Sequence, residues 1–443
     1  MGDLMRKALE RVESAELFRI DRETTPIALD DNGLEAIATR QNTGQALRVI
    51  HEGRLGFASS NDLEHSETLL DAACAAARFG EPTDMSFVST PPHEALPLSD
   101  PRLEAMSLED MVALGESTHR RLKALVSDVE VQVEVTRRVD RVSIRTSHEV
   151  EVEESRGALT VVAALLRAKS GDILTLDRSI ALRVPDEEAI EAMLERLVAR
   201  LRQAERLAVA PSGELPVVFG PSAALALLLP VLFGCNGRMI QLGMSPLAGR
   251  LGQEVFDPRF TLVDDGRNEQ GMWAGSFDDE GTPSRRTILV DKGVLTSFQY
   301  DRRTACACDA EVTGNGRREG RWYEPSEYRT PPAPSFSNIC VAAGDRPVSD
   351  LIGQVGRGLW IEQVLGLGQG NLNSGDFSNT VGVGFLIEGG EIVGRVKNVM
   401  IAGNSYRLLK ENLIGLSDAP EWFFGRICCP AIAISGVSIS SKG

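Results

Sequence analysis

Two acidic clusters are the groups in this sequence most able to do chemistry. They are the pair Asp264 and Asp265 and the run Asp278, Asp279 and Glu280, each at the end of a strand-like stretch. Neighbouring carboxylates can bind a divalent cation, or they can act as a general acid and a general base. The same side chains can instead accept backbone amides in a tight turn. The sequence leaves both interpretations open, and the turn is the favoured one.

A second set of polar groups lies in the loop TGNGRR, residues 313–318. Its two glycines expose backbone amides, and Asn315, Arg317 and Arg318 offer donors suited to a peptide carbonyl or carboxylate. A solvated flexible loop has the same composition, and residues 311–327 as a whole are polar enough for a mobile flap. We predict a peptide-binding element at these three side chains, with the solvated loop as the alternative.

The five histidines all lie in the first third of the chain, and residues 149–443 contain none. They are His51, His65, His93, His119 and His148. Three of them precede a glutamate, as in the zinc motif HExxH, but no second histidine follows at a metal-ligand spacing. We therefore expect solvated or hydrogen-bonded surface histidines and no histidine-based metal site.

The seven cysteines are odd in number and irregularly spaced, which favours reduced thiols in the cytosol. Cys306, Cys308, Cys428 and Cys429 could in principle form a four-thiolate zinc site. Such sites usually separate paired cysteines by two residues, so this arrangement is disfavoured. A cysteine nucleophile is also disfavoured, because every histidine that could activate it lies in the other half of the chain.

Composition indicates a soluble globular protein, with 42% hydrophobic and 25% charged residues. The net charge of −16 repels a phosphate backbone, so direct nucleic-acid binding is not expected. Residues 215–237 lack charged side chains, but their prolines favour a strand, a turn and a buried helix over a membrane span. The N-terminal residues do not have the pattern of a signal peptide, so we expect a cytoplasmic location.

Hydrophobic periodicity predicts the elements of the first half, residues 1–210. A helix over 3–16 opens it, a second helix begins at Asn61, and a last one begins at Pro185. Between them the period changes to two, which predicts an antiparallel meander. Its five strands are expected at 129–137, 141–146, 150–154, 160–168 and 173–180.

Residues 211–443 show a different pattern, with one short helix at 222–232 followed by many short strands and glycine-rich turns. This pattern is typical of a barrel or sandwich. The fold class is therefore predicted to be α+β. The N-terminal α/β domain, 1–210, has an antiparallel sheet with packed helices, and the C-terminal domain, 211–443, is β-rich and barrel- or sandwich-like.

An ordered series of motifs in the second half resembles the TldD/PmbA family. The series comprises FDDEG (277–281), TGNGRR (313–318), GDFSN (375–379) and IAGN (401–404). The resemblance is specific over 217–404 and looser before, at 56–63 and 155–157. Members of this family are peptidase-like proteins first described as modulators of DNA gyrase and of peptide maturation. The resemblance implies that Asp279 and Glu280 lie near a central cleft and that the 313–318 loop lies close to it.

The family has a zinc-protease branch, with HExxxH on a helix, and a metal-free branch that partners it. At the matching positions this chain carries Leu229, Pro230 and Gly234, and residues 413–422 lack the family's zinc-binding cysteine. The resemblance therefore implies the PmbA-like branch, with no catalytic residue, metal or cofactor in this chain. It implies a TldD-like zinc protease subunit as partner, in a heterodimer or a homodimer, and an unfolded peptide as substrate.

Two other functions remain as alternatives. The first is a stand-alone hydrolase that holds an unrecognised metal with Asp264, Asp278, Asp279 and Glu280. The second is a non-enzymatic regulatory binder of DNA gyrase, which the family's older description suggests.

Overall fold

The computed structural model describes residues 2–91, 94–169, 171–319 and 327–442. Helices and strands are mixed along the chain, which confirms the predicted α+β class. The helices of the first half are α1 (Gly2–Leu9), α2 (Ser66–Ala77), α3 (Pro101–Glu104), α4 (Leu108–Leu125) and α5 (Glu187–Gln203). Its strands are β1 (Ser14–Asp30), β2 (Gly33–Ile37), β3 (Arg40–His51), β4 (Arg54–Ser60), β5 (Glu130–Thr146), β6 (Glu151–Lys169) and β7 (Asp172–Leu182).

These strands form one antiparallel sheet in the order β4-β3-β1-β5-β6-β7, with β2 paired to β1. Successive residues of a strand point to opposite faces. The odd-numbered Leu17 and Ile27 of β1 pack in the cores that contain helices α1, α2, α4 and α5. The even-numbered Phe18 and Ile20 pack with Phe277 of the second half. One face of the sheet thus carries the helices, in a core that also includes residues of the second half, and the other face packs on Phe277.

The meander has fewer and longer strands than the sequence predicted. The expected break at 138–140 is absent because Arg138 and Asp140 pair with each other, and Asp140 also binds Arg22 on the neighbouring strand. Strand β5 therefore runs without interruption, and β6 does so through the break expected at 155–159. His148 lies in the turn between them.

Two helices also differ from prediction at their ends. The first helix ends at Leu9 and not at residue 16. Helix α2 begins at Ser66 instead of Asn61, because Asp62 accepts the backbone N–H groups of Glu64 and His65 and holds them in a turn. Local hydrogen bonds from an aspartate compete with helix initiation in this way.

The second half contains five further α-helices, one short 3-10 helix (Glu327–Arg329) and sixteen strands among the described residues. The helices are α6 (Leu225–Gly234), α7 (Gly237–Gln241), α8 (Arg302–Ala307), α9 (Val348–Val355) and α10 (Ser405–Glu411). The strands up to the middle of this half are β8 (Gly213–Phe219), β9 (Leu262–Asp265), β10 (Arg286–Asp291), β11 (Val294–Leu295), β12 (Gly316–Arg317), β13 (Ala333–Pro334), β14 (Ile339–Val341) and β15 (Arg357–Leu365). The remaining strands are β16 (Gly370–Asn371), β17 (Asp376–Glu388), β18 (Glu391–Val396), β19 (Val399–Asn404), β20 (Leu413–Leu416), β21 (Glu421–Phe423), β22 (Ile427–Cys429) and β23 (Ile432–Ser441).

Five of these strands close into a barrel in the order β15-β8-β23-β19-β17, with β17 pairing back to β15. A second sheet has the order β11-β10-β9-β14-β22-β21. The barrel prediction is confirmed, whereas the domain boundary at 210/211 stays a prediction. Residues 215–237 form a strand, a turn and the buried helix α6. None of the helices among the described residues combines the length and apolarity needed to cross a membrane.

Candidate functional site

The acidic run 278–280 forms a tight turn that docks on strand β12. Asp278 Oδ1 accepts the backbone N–H groups of Glu280 and Thr282, each at 2.9 Å. Gly281 completes the turn with a φ of +75°, a conformation that glycine adopts without strain. Asp278 Oδ2 accepts the N–H of Gly316, also at 2.9 Å. The geometry supports the structural interpretation of Asp278.

Asn315 lies next to this turn and is tied to Asp264. Its Nδ2 donates to Asp264 Oδ2 at 2.6 Å and to the carbonyl of Ser335 at 3.0 Å. The same carboxylate accepts from Gln299 and from the backbone N–H of Ser337. Burial raises the pKa of Asp264, although these hydrogen bonds oppose the shift. Both hydrogen bonds that the Asn315 amide donates are therefore made to other residues of the protein.

Glu280 and Arg318 belong to a buried chain of alternating charges that crosses between the two halves. Glu280 Oε1 accepts from Arg48 Nη1 at 2.8 Å, and Arg48 also pairs with Glu16. Arg318 Nη2 donates to Glu16 Oε1 at 2.9 Å. Its backbone N–H donates to Asp279 Oδ2 at 2.8 Å. The side chains of Glu16, Arg48, Glu280 and Arg318 are all at most 1% exposed.

Burial perturbs the acids and bases of this interface. It raises the pKa of Asp278, and the charge of Glu280 raises it further. It also raises the pKa of Glu280, with Arg48 opposing the shift. The pKa of Arg318 is lowered to about 10 by burial, although Glu16 opposes the change. These shifts follow from removing charged groups from water.

Arg317 differs from its neighbours in how few partners it has. Its Nη2 donates to Ser337 Oγ at 2.8 Å and reaches the carbonyl of Trp273 at 3.5 Å. Its Nε is buried and has no hydrogen-bond partner among the described residues. Arg317 and Asp279 line a cavity of about 60 Å³ between the first sheet and the second half.

The structure thus brings all five predicted site residues together, but only Asp279 and Arg317 line the cavity. The role of the five in peptide binding stays a prediction. The alternative of a solvated loop is wrong for Asn315, Arg317 and Arg318, which are at most 2% exposed. The flap interpretation of 311–327 is not supported for 313–318, which are buried, and residues 320–326 lie outside the described residues.

The segment that matches the family's zinc helix does not fit a zinc ion. Leu229, Pro230 and Gly234 lie on α6, which is almost wholly buried. The carbonyl of Pro230 accepts from Tyr406, and that of Gly234 accepts from Ser245. None of the three side chains can ligate a metal.

Over the described ranges, no three His, Cys, Asp or Glu side chains group so as to hold a metal ion. The four-thiolate arrangement of Cys306, Cys308, Cys428 and Cys429 accordingly does not form. His93 lies outside the described residues.

Sequence reasoning missed Glu16 and Arg48, the first-half members of the charge chain. A signal for them exists in the alternation of β1 and β3. Glu16 shares its face with the apolar Phe18 and Ile20, and Arg48 shares its face with Ala46. A charge at a buried position of an alternating strand indicates a buried ionic partner.

Comparison with known proteins agrees with the fold and the motifs. Residues 212–441 match the family model described as the PmbA/TldA metallopeptidase C-terminal domain. Residues 15–78 match the model of PmbA/TldA metallopeptidase domain 1. Both models describe domains of one metallopeptidase family, and together they match both halves of the chain. The chain belongs to the PmbA/TldD family, which confirms the resemblance seen in its motifs.

Individual relatives support this assignment. A "Metalloprotease TldD homolog" of Haemophilus influenzae is 32% identical over 46% of this chain, but the match spans only 40% of that relative's length. A "Metalloprotease" of Methanothermobacter thermautotrophicus is 25% identical over 93% of this chain and 89% of its own length. The crystal structure of TldE from Thermococcus kodakarensis superposes with a TM-score of 0.88, at 24% identity and full coverage of both chains. At that identity, the likeness shows a shared fold.

Proposed function

We propose that this chain is the metal-free subunit of a TldD/PmbA-type protease assembly. In this proposal a zinc-bearing, TldD-like subunit hydrolyses unfolded peptides, and the present subunit completes the peptide-binding chamber. The family assignment and the metalloprotease names of several relatives support the reaction class. The division of labour between two subunits is proposed in addition, because neither the family assignment nor these names state it.

One observation carries the proposal: the residues found where the zinc motif would fall. A zinc protease needs two imidazoles and a carboxylate on one face of a helix, to bind the metal and to activate water. Helix α6 offers Leu229, Pro230 and Gly234 there. Gly234 is packed so tightly that a Cβ would lie 3.1 Å from Leu247 Cδ1, so the helix leaves little room for ligating side chains.

The interface between the halves gives this subunit a means of holding peptide. Asp279 offers a carboxylate and Arg317 a guanidinium to the cavity that both residues line. Glu280, Asn315 and Arg318 hold the turn and strand β12 in place through buried hydrogen bonds. We assign the first two residues to peptide contact and the other three to support.

The two alternatives have less support. For a stand-alone hydrolase, Asp264, Asp278, Asp279 and Glu280 would have to bind a metal, but an oxygen of each accepts a hydrogen bond from a protein donor. For a gyrase regulator, the argument is the description of a structural neighbour from Thermotoga maritima, a proposed modulator of a DNA gyrase, with a TM-score of 0.87 and 20% identity over 99% of both chains.

The test is a reconstituted cleavage assay with this chain and a TldD-like protein from the same organism. The substrate is an unstructured peptide that carries a fluorophore and a quencher. We expect the mixture to cleave it at least tenfold faster than the TldD-like protein alone, and a chelator to abolish cleavage. This chain alone should show no cleavage.

Two outcomes would contradict the proposal. One is a mixture no faster than the TldD-like protein by itself. The other is chelator-sensitive cleavage by this chain in isolation, which would favour the stand-alone hydrolase. As a matched control, bovine serum albumin replaces this chain at equal concentration.

A further inference from the structure

Arg317 is a buried cation that contacts no carboxylate among the residues that the structure describes. It is 2% exposed, on strand β12. Among the described residues its guanidinium bonds only to a serine hydroxyl and a backbone carbonyl, and Nε has no partner. Buried charges are normally paired, because an isolated ion is strongly disfavoured in a low-dielectric site. The surroundings of Arg317 therefore favour the binding of an anion next to its guanidinium.

The other three arginines that line the same cavity have carboxylate partners. Arg22 pairs with Asp140 at 2.7 Å and also with Glu327. Arg138 pairs with Asp140. Arg156 pairs with Glu154 at 2.6 Å. Among the described residues, Arg317 is thus the arginine of this lining that has no carboxylate in contact with it.

The cavity wall also contains three acids, which would repel a bound anion unless they are paired. Asp140 and Glu327 are engaged by the arginines named above. Asp279 accepts the backbone N–H of Arg318 through Oδ2. Four arginines and three acids line the cavity. With Glu154, which pairs with Arg156 from outside the lining, the formal charges sum to +4 − 4 = 0.

Two further carboxyls lie near Arg317 without contacting it. Asp264 and Asp278 feel its positive charge, which opposes the rise that burial causes in the pKa of each group. Their oxygens bond to Asn315, Gln299 and backbone amides instead. Their negative charge lowers the positive potential at Arg317. Among the described residues, neither carboxylate accepts a hydrogen bond from its guanidinium.

We propose that the cavity beside Arg317 binds a carboxylate group of a peptide. A guanidinium presents donors in a fixed fork that matches a carboxylate. The cavity volume of about 60 Å³ is large enough to hold a carboxylate head. The carboxylate comes from an acidic side chain or from the peptide's C-terminus. The choice of a peptide rests on the proposed function.

Direct binding to the full chain, without any partner, tests the site. Three N-acetylated heptapeptides of glycine, serine and alanine are compared by isothermal titration calorimetry. The first contains a central glutamate and a C-terminal amide, the second has glutamine instead, and the third has glutamine and a free C-terminal carboxylate. We expect at least one carboxylate peptide to bind tenfold or more tightly than the glutamine amide.

The arms of the comparison identify the source of the carboxylate. A preference for the first peptide assigns the site to acidic side chains, and a preference for the third assigns it to the C-terminus. Equal affinity for all three peptides, or no binding of any, overturns the proposal.

Variants locate the preference at Arg317. Arg317→Met keeps most of the side-chain volume but removes the charge, and it should abolish the preference. Arg286→Gln is the matched control, because Arg286 is more than half exposed and lies on another strand, and it should leave the preference unchanged. An unchanged preference in Arg317→Met overturns the proposal. If that variant does not fold, Arg317→Lys replaces it and should weaken the preference at least threefold; no change would again overturn it.

The outcome is separable from that of the cleavage assay. A chain that discriminates glutamate from glutamine but does not accelerate its partner would retain the carboxylate site and lose the proposed function. A chain that accelerates its partner without discriminating glutamate from glutamine would retain the proposed function and lose the carboxylate site.

Discussion

Arg318 Nη2 donates a hydrogen bond to Glu16 Oε1 at 2.9 Å, although the two residues are 302 positions apart in the chain. Both side chains are fully buried. Arg318 also lies over the ring of Phe18, with its Cζ 4.6 Å from the ring centroid. The first sheet and the β12 segment are therefore joined by an ionic contact inside an apolar interface. Removal of either charge would leave the other buried without this partner, which disfavours any packing of the two segments that separates them.

Replacing Glu16 by glutamine should lower the free energy of unfolding by about 3–5 kcal/mol, the range for removing one partner of a buried ion pair. The variant leaves the guanidinium groups of Arg48 and Arg318 without one of their carboxylates. Urea unfolding followed by circular dichroism measures the change. The control is Glu187→Gln, whose exposed pair with Arg121 should contribute at most about 1 kcal/mol. A loss no larger than that of the control would show that the buried pair adds no stability.

Gly316→Ala should be destabilising for a steric reason. A Cβ on residue 316 would lie 2.6 Å from Cδ of Glu280, inside a fully buried site. Overpacking of this kind typically costs about 1–3 kcal/mol. Gly353→Ala is the control, because Gly353 lies in helix α9 with nothing within 4 Å of the added carbon. It should stabilise the protein by about 0.5–1 kcal/mol through helix propensity. Equal melting temperatures for the two variants would refute the packing argument.

The sequence predicted the strands well where the apolar alternation was unbroken and failed where charges interrupted it. The break expected at Arg138 and Asp140 did not occur, because their counter-charge, Arg22, lies on another strand. Partners distant in sequence cannot be read from a local pattern. The turn at Asp278 was favoured correctly because its hydrogen bonds are local. The burial of Asn315 and Arg318 was not readable from the composition of their loop, because only the packing of the two halves produces it. Their role in peptide binding stays a prediction.

The stability of the wild type should fall, relative to that of Asp278→Asn, as the pH rises from about 4 into the neutral range. Burial and the charge of Glu280 raise the pKa of Asp278 in the folded state. The unfolded chain releases the proton above about pH 4, whereas the folded protein still holds it. The folded state then binds more protons, so the free energy of unfolding decreases with pH, by at most about 1.4 kcal/mol per unit.

Urea unfolding of both proteins between pH 4.5 and 7.5 measures this difference. Taking the difference cancels groups with the opposite sign, such as Asp140, whose pKa is lowered by its arginine partners despite burial. Asp345→Asn is the control for the substitution itself, since the side chain of Asp345 is 90% exposed. A pH-independent difference for Asp278→Asn as well would mean that its carboxyl is not perturbed.

Alkylation should distinguish the cysteines by their surroundings. Cys340 and Cys428 are opposite one another on β14 and β22, and the thiol of Cys340 donates to Cys428, which lowers the pKa of Cys428. The adjacent Cys429 is buried, and burial raises its pKa, as it raises that of Cys235 to about 12. Because the thiolate is the reactive form, Cys428 should react with iodoacetamide well before Cys429 and Cys235 in the folded protein.

Peptide mapping by mass spectrometry after short exposures gives the rate for each thiol. Cys340→Ala removes the hydrogen bond and should slow the alkylation of Cys428 several-fold. The rate at Cys306, an exposed thiol on α8, should not change in that variant and serves as the internal reference. Faster alkylation of Cys428 in Cys340→Ala would mean that access, and not the donated hydrogen bond, controls its reactivity.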